Sequence, residues 1–336
     1  MRGWIKSTPL YYKLYSVTKS VTVMYDNLDF KLRKSDGMNV DFLGETPCYF
    51  NVTGEHTFVD GTVITGNLDG YKIAVREDGV NITGGSLCKF YLGDNFQTLG
   101  RGDTQRAIEK LSDTLHLHVD KATVTRIDLA QNFIMRQPVE NYFNHLGELK
   151  YYKRSPMIPE GALYYFNHKN TIIFYDKVRE QKAKGKIIPE LYENRNVLRY
   201  ETRYLQRLPS TFNVERVTGG LLYNEAFYIG IMKRWKETYK TIRKINDVSL
   251  NLQAMRTKQE LYKMGILSLI ERVGGQVQMI EQINEAQKKG VLSKKQAYDL
   301  RQAVNDACNI KDGLTVSNDA IIELDKKVRN AVKYYR

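Results

Sequence analysis

The apolar residues of this chain change their spacing near residue 230, and that change restricts the fold more than any other feature. Before it, short β-like runs alternate with turns containing Gly and Asp, at 21–33, 62–75 and 81–90. Beyond Gly230, helical spacing extends over five segments: 231–244, 258–273, 277–289, 294–307 and 317–335. We therefore expect an α+β protein, with an antiparallel sheet followed by a helical region.

The chain is long enough for two structural units. It has 336 residues, and domains usually contain about 100 to 200. Pro209 and the pair Gly219-Gly220 indicate a boundary between them. We predict an N-terminal extension at 1–20, a sheet domain at 21–215 that holds the candidate site, and a basic helical C-terminal region at 216–336.

Four further patterns complete the expected sheet domain. A helix is expected from Asp103, a plausible N-cap, because apolar residues follow it at helical spacing. The run 122–134 is β-like, 162–166 and 171–175 have the pattern of a hairpin, and 197–205 alternates as a strand does. In the last run, alternation places Arg199, Glu201 and Arg203 on a common face.

The net charge of +13 is concentrated in two regions. Residues 148–208 carry +6 and residues 230–336 carry +9, which is the pattern expected for a polyanionic partner such as nucleic acid. A solvated, lysine-rich helical face explains the same charge equally well. Three distant cysteines, with no metal spacing, indicate a reducing cytoplasm. No apolar run approaches the length of a membrane helix, so neither a membrane span nor export is expected.

Tyr175 ends a β-rich run, and fixed charges follow it closely. A tyrosine hydroxyl, with a pKa near 10, is a poor nucleophile unless cations or a metal ion favour the phenolate. Lys177 and Arg179 supply positive charge within one turn. Carboxylates that could hold Mg²⁺ or Mn²⁺, and so neutralise an attacked phosphate, are Asp128, Glu201 and Glu180.

Each of these residues also has a structural interpretation. The chain contains 23 tyrosines, and Tyr175 could simply pack in a sheet. Asp128 and Glu201 could form an ion network across neighbouring strands with Arg126, Arg199 and Arg203.

A rival metal site is the pair His116 and His118. Two histidines at i and i+2 on a strand point the same way and could share a metal ion. This pair, however, directly follows an amphipathic helix, so a helix-to-strand connection explains it better.

Four ordered stretches together resemble a known family, the rolling-circle replication initiators of the filamentous-phage gene II type. They are G-S-L-C-K-F-Y-L-G-D-N at 85–95, T-R-I-D-L-A at 125–130, I-I-F-Y-D-K-V-R-E at 172–180 and V-L-R-Y-E-T-R-Y-L at 197–205. The resemblance covers roughly 21–210, and a class of plasmid initiators is more distantly similar. It implies a divergent form of the HUH-type initiator sheet. The C-terminal helices match poorly.

The resemblance implies a site-specific nickase in which Tyr175 becomes linked to DNA through a 5′-phosphotyrosine bond. Lys177 would orient or neutralise the phosphate, while Asp128, Glu201 and Glu180 would hold Mg²⁺ or Mn²⁺. Expected partners are single-stranded or supercoiled origin DNA, a host helicase and polymerase, and a second copy in a homodimer. Residues expected to contact DNA are Arg126, Lys169, Arg179, Arg199 and Arg203, of which Arg126, Arg199 and Arg203 could instead hold the carboxylates.

Two alternatives remain at this point. A plasmid or conjugative-element relaxase would use the same cleavage, and a non-catalytic origin-binding protein would bind DNA without any covalent adduct. No second tyrosine follows Tyr175 at one-turn spacing. A two-tyrosine exchange on one helix is therefore excluded.

Overall fold

The structure is a computed structural model, and it describes residues 23–157, 160–245, 257–309 and 318–333, with two short strands at 247–248 and 315–316. The extension predicted at 1–20 lies outside these residues. The strands of the main sheet are β1 Met24–Arg33, β2 Asn51–Phe58, β3 Gly61–Leu68, β4 Tyr71–Arg76, β5 Gly79–Thr83, β6 Thr123–Met135, β7 Lys153–Met157, β8 Ala162–Phe166, β9 Asn170–Asp176 and β10 Asn196–Tyr204.

These ten strands form one antiparallel sheet in the order β2-β3-β4-β5-β1-β6-β10-β9-β8-β7. The predicted strands at 122–134, 162–166, 171–175 and 197–205 are confirmed as β6, β8, β9 and β10. They lie side by side, together with β1. The short strands β11 Asp247–Val248 and β12 Thr315–Val316 pair separately.

The register of β10 determines which residues meet at the candidate site. Arg199 lies opposite Tyr175 of β9, and Arg203 lies opposite Asp128 of β6. Because successive side chains of a strand point to opposite faces, Glu201 lies on the same face as these residues. The expected common face is therefore present, and it carries charged groups from three adjacent strands.

The helices are α1 Phe42–Glu45, α2 Leu87–Leu92, α3 Arg101–Leu115, α4 Val139–Asn144, α5 Lys177–Ala183, α6 Leu208–Phe212, α7 Glu225–Thr241, α8 Lys258–Arg272, α9 Gln276–Lys288, α10 Lys294–Cys308 and α11 Asp319–Asn330. The expected α+β class, with helices mostly C-terminal, is confirmed.

Two local expectations need correction. The run at 81–90 was expected to be β-like throughout, but β5 ends at Thr83 and α2 begins at Leu87, because the Ser86 side chain accepts a hydrogen bond from the Lys89 amide and caps a helix. The helix expected from Asp103 begins earlier, at Arg101. The Asp103 carboxylate instead accepts a hydrogen bond from the backbone N–H of Gly100 at 3.0 Å.

The apolar core divides at a different place from the predicted boundary at 215. On the sheet face opposite Glu201, Tyr200 stacks on Phe174 at 4.6 Å between ring centroids and contacts Trp235 of α7 at 4.3 Å. Helices α7 and α11 thus belong to the core of the sheet, whereas α8, α9 and α10 surround a separate cluster. Among the described helices, none has the length and apolar character needed to cross a membrane.

Candidate active site

Tyr175 is half-buried near the end of β9, and its hydroxyl faces β10. The Tyr175 hydroxyl donates a hydrogen bond to Oε2 of Glu201, at 3.3 Å. Burial raises the pKa of Tyr175 well above its usual value; nearby Arg199 opposes this rise, and Glu201 adds to it. At neutral pH the side chain is therefore a phenol, and Glu201 accepts its hydrogen bond.

Glu201 is almost fully buried and contacts two arginines through different oxygens. Its Oε1 lies 2.6 Å from Nε of Arg203, and its Oε2 lies 3.4 Å from Nε of Arg199. The oxygen that accepts from Tyr175 is therefore the one with the longer arginine contact. Since that oxygen is only weakly held by a cation, it is the better placed to accept a proton.

Asp128 has no exposed side-chain surface and lies in a bidentate pair with Arg126, at 2.9 and 2.6 Å. Nε of Arg203 lies 3.7 Å from the same carboxylate. Burial raises the pKa of Asp128 to about 7; the hydrogen bond from Arg126 opposes this rise, and Glu201 adds to it. Asp128 and Glu201 thus lie close enough to share one cation, the guanidinium of Arg203.

The oxygen donors of Asp128 and Glu201 are of the type that Mg²⁺ and Mn²⁺ prefer, and the sharing of Arg203 shows that one cation can reach both. A metal ion would have to replace an arginine contact. Within the described part of the chain, no group of three or more His, Cys, Asp or Glu side chains is arranged to hold a metal ion. Metal binding by Asp128, Glu201 and Glu180 therefore stays a prediction.

Lys177 and Glu180 lie on the first turns of α5, which begins where the Asp176 carboxylate caps the helix. Nζ of Lys177 lies 2.9 Å from Oε2 of Glu180, and the Lys177 side chain is 1% exposed. Burial and the neighbouring Arg199 lower the pKa of Lys177 to about 8. Burial would raise the pKa of Glu180, but Lys177 and Lys184 outweigh it and lower that pKa to about 2.

Lys177 also contacts the aromatic groups around the site. Its ammonium lies 5.9 Å from the ring centroid of Tyr175 and 5.7 Å from that of Phe96. Phe96 packs against Tyr192 at 4.8 Å. A DNA phosphate can therefore reach Lys177 only if this aromatic cover moves.

The sequence interpretation missed Asp26, which is a buried partner of the site. Asp26 lies in β1 where the pairing with β6 shifts register, and it forms an ion pair with the fully buried Arg199. The side chains of Ser86 and Asn95 also donate to this carboxylate. Two signals were present: a carboxylate between the apolar residues of a strand, and the positions of Ser86 and Asn95 in the first of the four stretches.

The residues expected to contact DNA occupy different environments. Arg126 and Arg203 are 25% and 33% exposed beside the carboxylates, and Lys169 is half-buried in the β8–β9 turn. Arg179 is exposed and contacts Glu140 at 3.1 Å. Arg199 is fully buried, and besides Asp26 its Nη1 donates to the Asn132 side chain at 3.0 Å and the Asn95 carbonyl at 3.2 Å. Of its two predicted roles, this burial favours holding carboxylates.

Further basic residues near the site were not singled out from the sequence. They are exposed and belong to or follow α5, directly after the Tyr175 strand: Lys182, Lys184, Lys186 and Arg195. Their signal was the charge of +6 over 148–208. They extend the positive surface around Tyr175 beyond the arginines of the sheet.

The rival histidine pair does not form a common site. His116 ends α3 in the left-handed conformation and packs on Tyr49 at 4.1 Å. Nδ1 of His118 lies 3.7 Å from the Asp120 carboxylate. The pair thus lies in the helix-to-strand connection, as expected.

An antiparallel sheet with a tyrosine, two carboxylates and several arginines on one face defines an α+β protein with a polar site suited to phosphate chemistry. Through residues 63–227, the chain belongs to a phage family described as the N-terminal part of the replication-associated protein of gene II. This confirms the resemblance to filamentous-phage gene II type initiators and indicates a protein that initiates phage DNA replication. Among curated proteins, none matches the chain. The family region includes each candidate site residue named above except Asp26.

Proposed function

We propose that the protein initiates rolling-circle replication by cutting one strand of origin DNA, with Tyr175 as the nucleophile. The observation that supports this proposal is the hydrogen bond from the Tyr175 hydroxyl to Glu201, on a face rich in arginine. A nucleophile beside a proton acceptor is the arrangement that activates hydroxyl groups in covalent catalysis. The family match supports a role in replication initiation.

The chemical step is a transesterification. As the Tyr175 oxygen attacks the scissile phosphorus, its proton passes to Glu201; a P–O bond to tyrosine forms, and the bond from phosphorus to the 3′ oxygen breaks. The leaving 3′ oxygen takes a proton and becomes the hydroxyl that primes synthesis. The 5′ end stays attached to Tyr175, and attack by a 3′-hydroxyl reverses the reaction.

Charge on the attacked phosphate must be neutralised in this step. Arg126 and Arg203 lie partly exposed beside Glu201 and can bind the non-bridging oxygens. Lys177 contributes a nearby ammonium once its aromatic cover moves. When bound by Asp128 and Glu201, Mg²⁺ or Mn²⁺ would supply further charge neutralisation.

The proposed partners follow from this chemistry. Origin DNA is the substrate, and a host helicase and polymerase would extend the freed 3′-hydroxyl. Ending a round requires a second nucleophile, since positions 178–182 contain no tyrosine. A second subunit in a homodimer, another tyrosine of this chain or reversal by the 3′-hydroxyl would supply it.

The test is a covalent trapping experiment on single-stranded and supercoiled DNA from the replicon that encodes the chain, with Mg²⁺ or Mn²⁺ present. We expect the wild-type protein to nick this DNA and to retain label placed on the 5′ side of the break, as a protein–DNA adduct. Tyr175→Phe should form no adduct. The matched control is Tyr164→Phe, since Tyr164 lies on the same sheet face opposite Ile173; an adduct that survives in Tyr175→Phe would show another nucleophile.

A non-catalytic origin-binding protein is the second candidate. It is favoured by the arginine pairing of both carboxylates, which a purely structural ion network would also show. Specific DNA binding by the wild-type protein, with no adduct under any metal condition, would select it. A relaxase would give the same adduct, and only cleavage at a transfer origin instead of a replication origin distinguishes it.

A further inference from the structure

A small cavity lies between α7 and α11, on the side of the sheet opposite Tyr175. Helix α7 packs on that opposite face, where the hydroxyl of Tyr200 donates to the Trp235 carbonyl at 3.0 Å. The cavity has a volume of about 150 Å³. Its lining residues are Lys236, Tyr239, Lys240, Lys244, Asp325, Val328 and Arg329.

The charge of the lining is predominantly positive. Lys236 and Lys240 stand one turn apart on α7, Lys244 follows the end of that helix, and Arg329 comes from α11. One lining carboxylate opposes them, that of Asp325, and it accepts a hydrogen bond from the Tyr239 hydroxyl at 2.6 Å. Outside the lining, Glu237 contacts Lys236 and Lys240 at 3.4 and 3.0 Å. Four cations thus face two carboxylates.

Lys244 is held in place inside this cavity. Its Nζ donates to the carbonyls of Tyr239 and Ile242 at 2.9 and 2.8 Å, and lies 4.0 Å from the Tyr239 ring centroid. An ammonium carries three donors, so these two carbonyls leave one N–H to face a ligand. Burial lowers the pKa of Lys244 to about 8, which shows that its charge lacks full compensation.

Arg329 is the most available cation of the set. It is exposed, and within the described residues it makes neither a hydrogen bond nor an ion pair. A guanidinium presents its donors as a planar fork that matches the oxygens of a phosphate. A fixed ammonium inside and a fork at the rim are complementary to a tetrahedral oxyanion.

We propose that this cavity binds a phosphate group. Pockets for drug-sized ligands usually have about 300 to 1,000 Å³, so a whole nucleotide does not fit inside and a single phosphate does. That phosphate can come from free inorganic phosphate or from the backbone of a DNA strand passing over the rim. The site does not depend on cleavage by Tyr175, because it lies on the other side of the sheet.

The test uses the full-length protein with two probes, inorganic phosphate in titration calorimetry and a short DNA duplex over a range of salt concentrations. The variants are Lys240→Gln and Arg329→Gln, with Lys233→Gln of α7 and Lys326→Gln of α11 as controls, because both control lysines are exposed and lie outside the lining. Each pocket variant should weaken binding of the relevant probe about tenfold, since a hydrogen bond to a charged group is lost. The controls should leave affinity for inorganic phosphate unchanged.

The two probes distinguish the source of the phosphate. Weaker binding of inorganic phosphate in the pocket variants assigns a free-phosphate site. A salt dependence of DNA binding that falls by about one unit in the pocket variants, and not in the controls, assigns a DNA phosphate. The proposal is overturned if neither probe distinguishes pocket variants from controls. Tyr175→Phe should keep full binding in both assays, so failure of the cleavage proposal would not affect this result.

Discussion

The hydroxyl of Tyr175 and the carboxylate of Glu201 form a hydrogen bond of 3.3 Å between neighbouring strands. The two residues are diagonal neighbours, because Arg199, and not Glu201, lies directly opposite Tyr175. This diagonal places one carboxylate oxygen beside the phenol and leaves the other to Arg203. One side chain thus links the proposed nucleophile to the arginines.

The first prediction concerns this proton acceptor. Glu201→Gln keeps the size of the side chain and a carbonyl oxygen for the Tyr175 hydrogen bond, but it removes the base. We expect single-turnover cleavage to fall about 10²- to 10⁴-fold, as for loss of a general base, while DNA affinity stays within a few-fold of wild type. Quenched-flow cleavage and filter binding measure the two quantities.

The matched control for this variant is Glu193→Gln, which removes an exposed carboxylate from the segment after α5. Its cleavage rate should equal that of the wild type. Unchanged cleavage by Glu201→Gln would mean that Glu201 only holds arginines, and that another group accepts the proton.

The second prediction concerns the metal ion. If Asp128 and Glu201 bind a divalent cation, the protein should bind Mn²⁺ in an electron paramagnetic resonance titration, and Asp128→Asn should weaken that binding about tenfold or more because ligand charge sets affinity. Chelator should also abolish nicking. Glu180→Gln tests the third expected ligand, which Lys177 and Lys184 hold in this structure.

Two results would count against this metal assignment. Wild-type protein that binds no Mn²⁺, or nicking that persists in chelator, would show that the arginines alone neutralise the phosphate. A Glu180→Gln variant with wild-type Mn²⁺ affinity would remove only Glu180 from the ligand set. Asp113→Asn, a substitution on α3, serves as the control.

The sequence predicted the strands of the site well, because each has a clear period of two. Alternation alone placed Arg199, Glu201 and Arg203 on one face of β10, and the structure has them there. The pairing of β10 with both β6 and β9 could not be read locally, since register depends on contacts between segments far apart in the chain. Asp26 was missed for the same reason: its partner Arg199 is 173 residues away.

The helical region shows a second limit of the sequence interpretation. The positions of α7 to α11 followed from helical spacing, but the spacing did not reveal which apolar face each helix packs against. Trp235 of α7 packs on Tyr200 of the sheet, whereas Leu267 of α8 belongs to the separate cluster. The predicted boundary at 215 therefore separates α7 from the sheet whose core it completes.

The third prediction concerns pH and Lys177. Its folded-state pKa of about 8 lies below the usual 10.5, so the folded protein loses this proton as pH rises through 8. If the ammonium neutralises the scissile phosphate, cleavage should decrease above pH 8 with a single titration. In the same interval the unfolded chain binds more protons than the folded chain, so this group makes the free energy of unfolding rise with pH.

Lys177→Arg separates charge from other pH effects, because a guanidinium stays protonated. This variant should lose the decrease in cleavage above pH 8, whatever its absolute rate. Lys182→Arg, in the same helix but exposed, should keep the wild-type profile. A profile that is identical in all three proteins would show that Lys177 does not act as a titrating cation.

The fourth prediction concerns the buried pair of Arg199 and Asp26. Arg199 has no exposed side-chain surface, and Asp26 is only 6% exposed. Burial would raise the pKa of Asp26, but Arg199 and the hydrogen bond from Ser86 outweigh it and lower that pKa, so the carboxylate is charged. Arg199→Met would leave this charge buried without its partner. We expect the free energy of unfolding, from urea denaturation, to fall by about 3 to 5 kcal/mol.

A double-mutant cycle tests whether that loss arises from the pair. In the variant that combines Arg199→Met with Asp26→Asn, no unpaired carboxylate charge remains at position 26, so the double variant should be more stable than the sum of the two single losses implies. Removing the exposed contact between Lys289 and Glu285 with Glu285→Gln should have a small effect by comparison, since solvent screens it. Additive losses in the cycle would instead show that Arg199 is held mainly by Asn132 and Glu201, and that Asp26 supports the site independently.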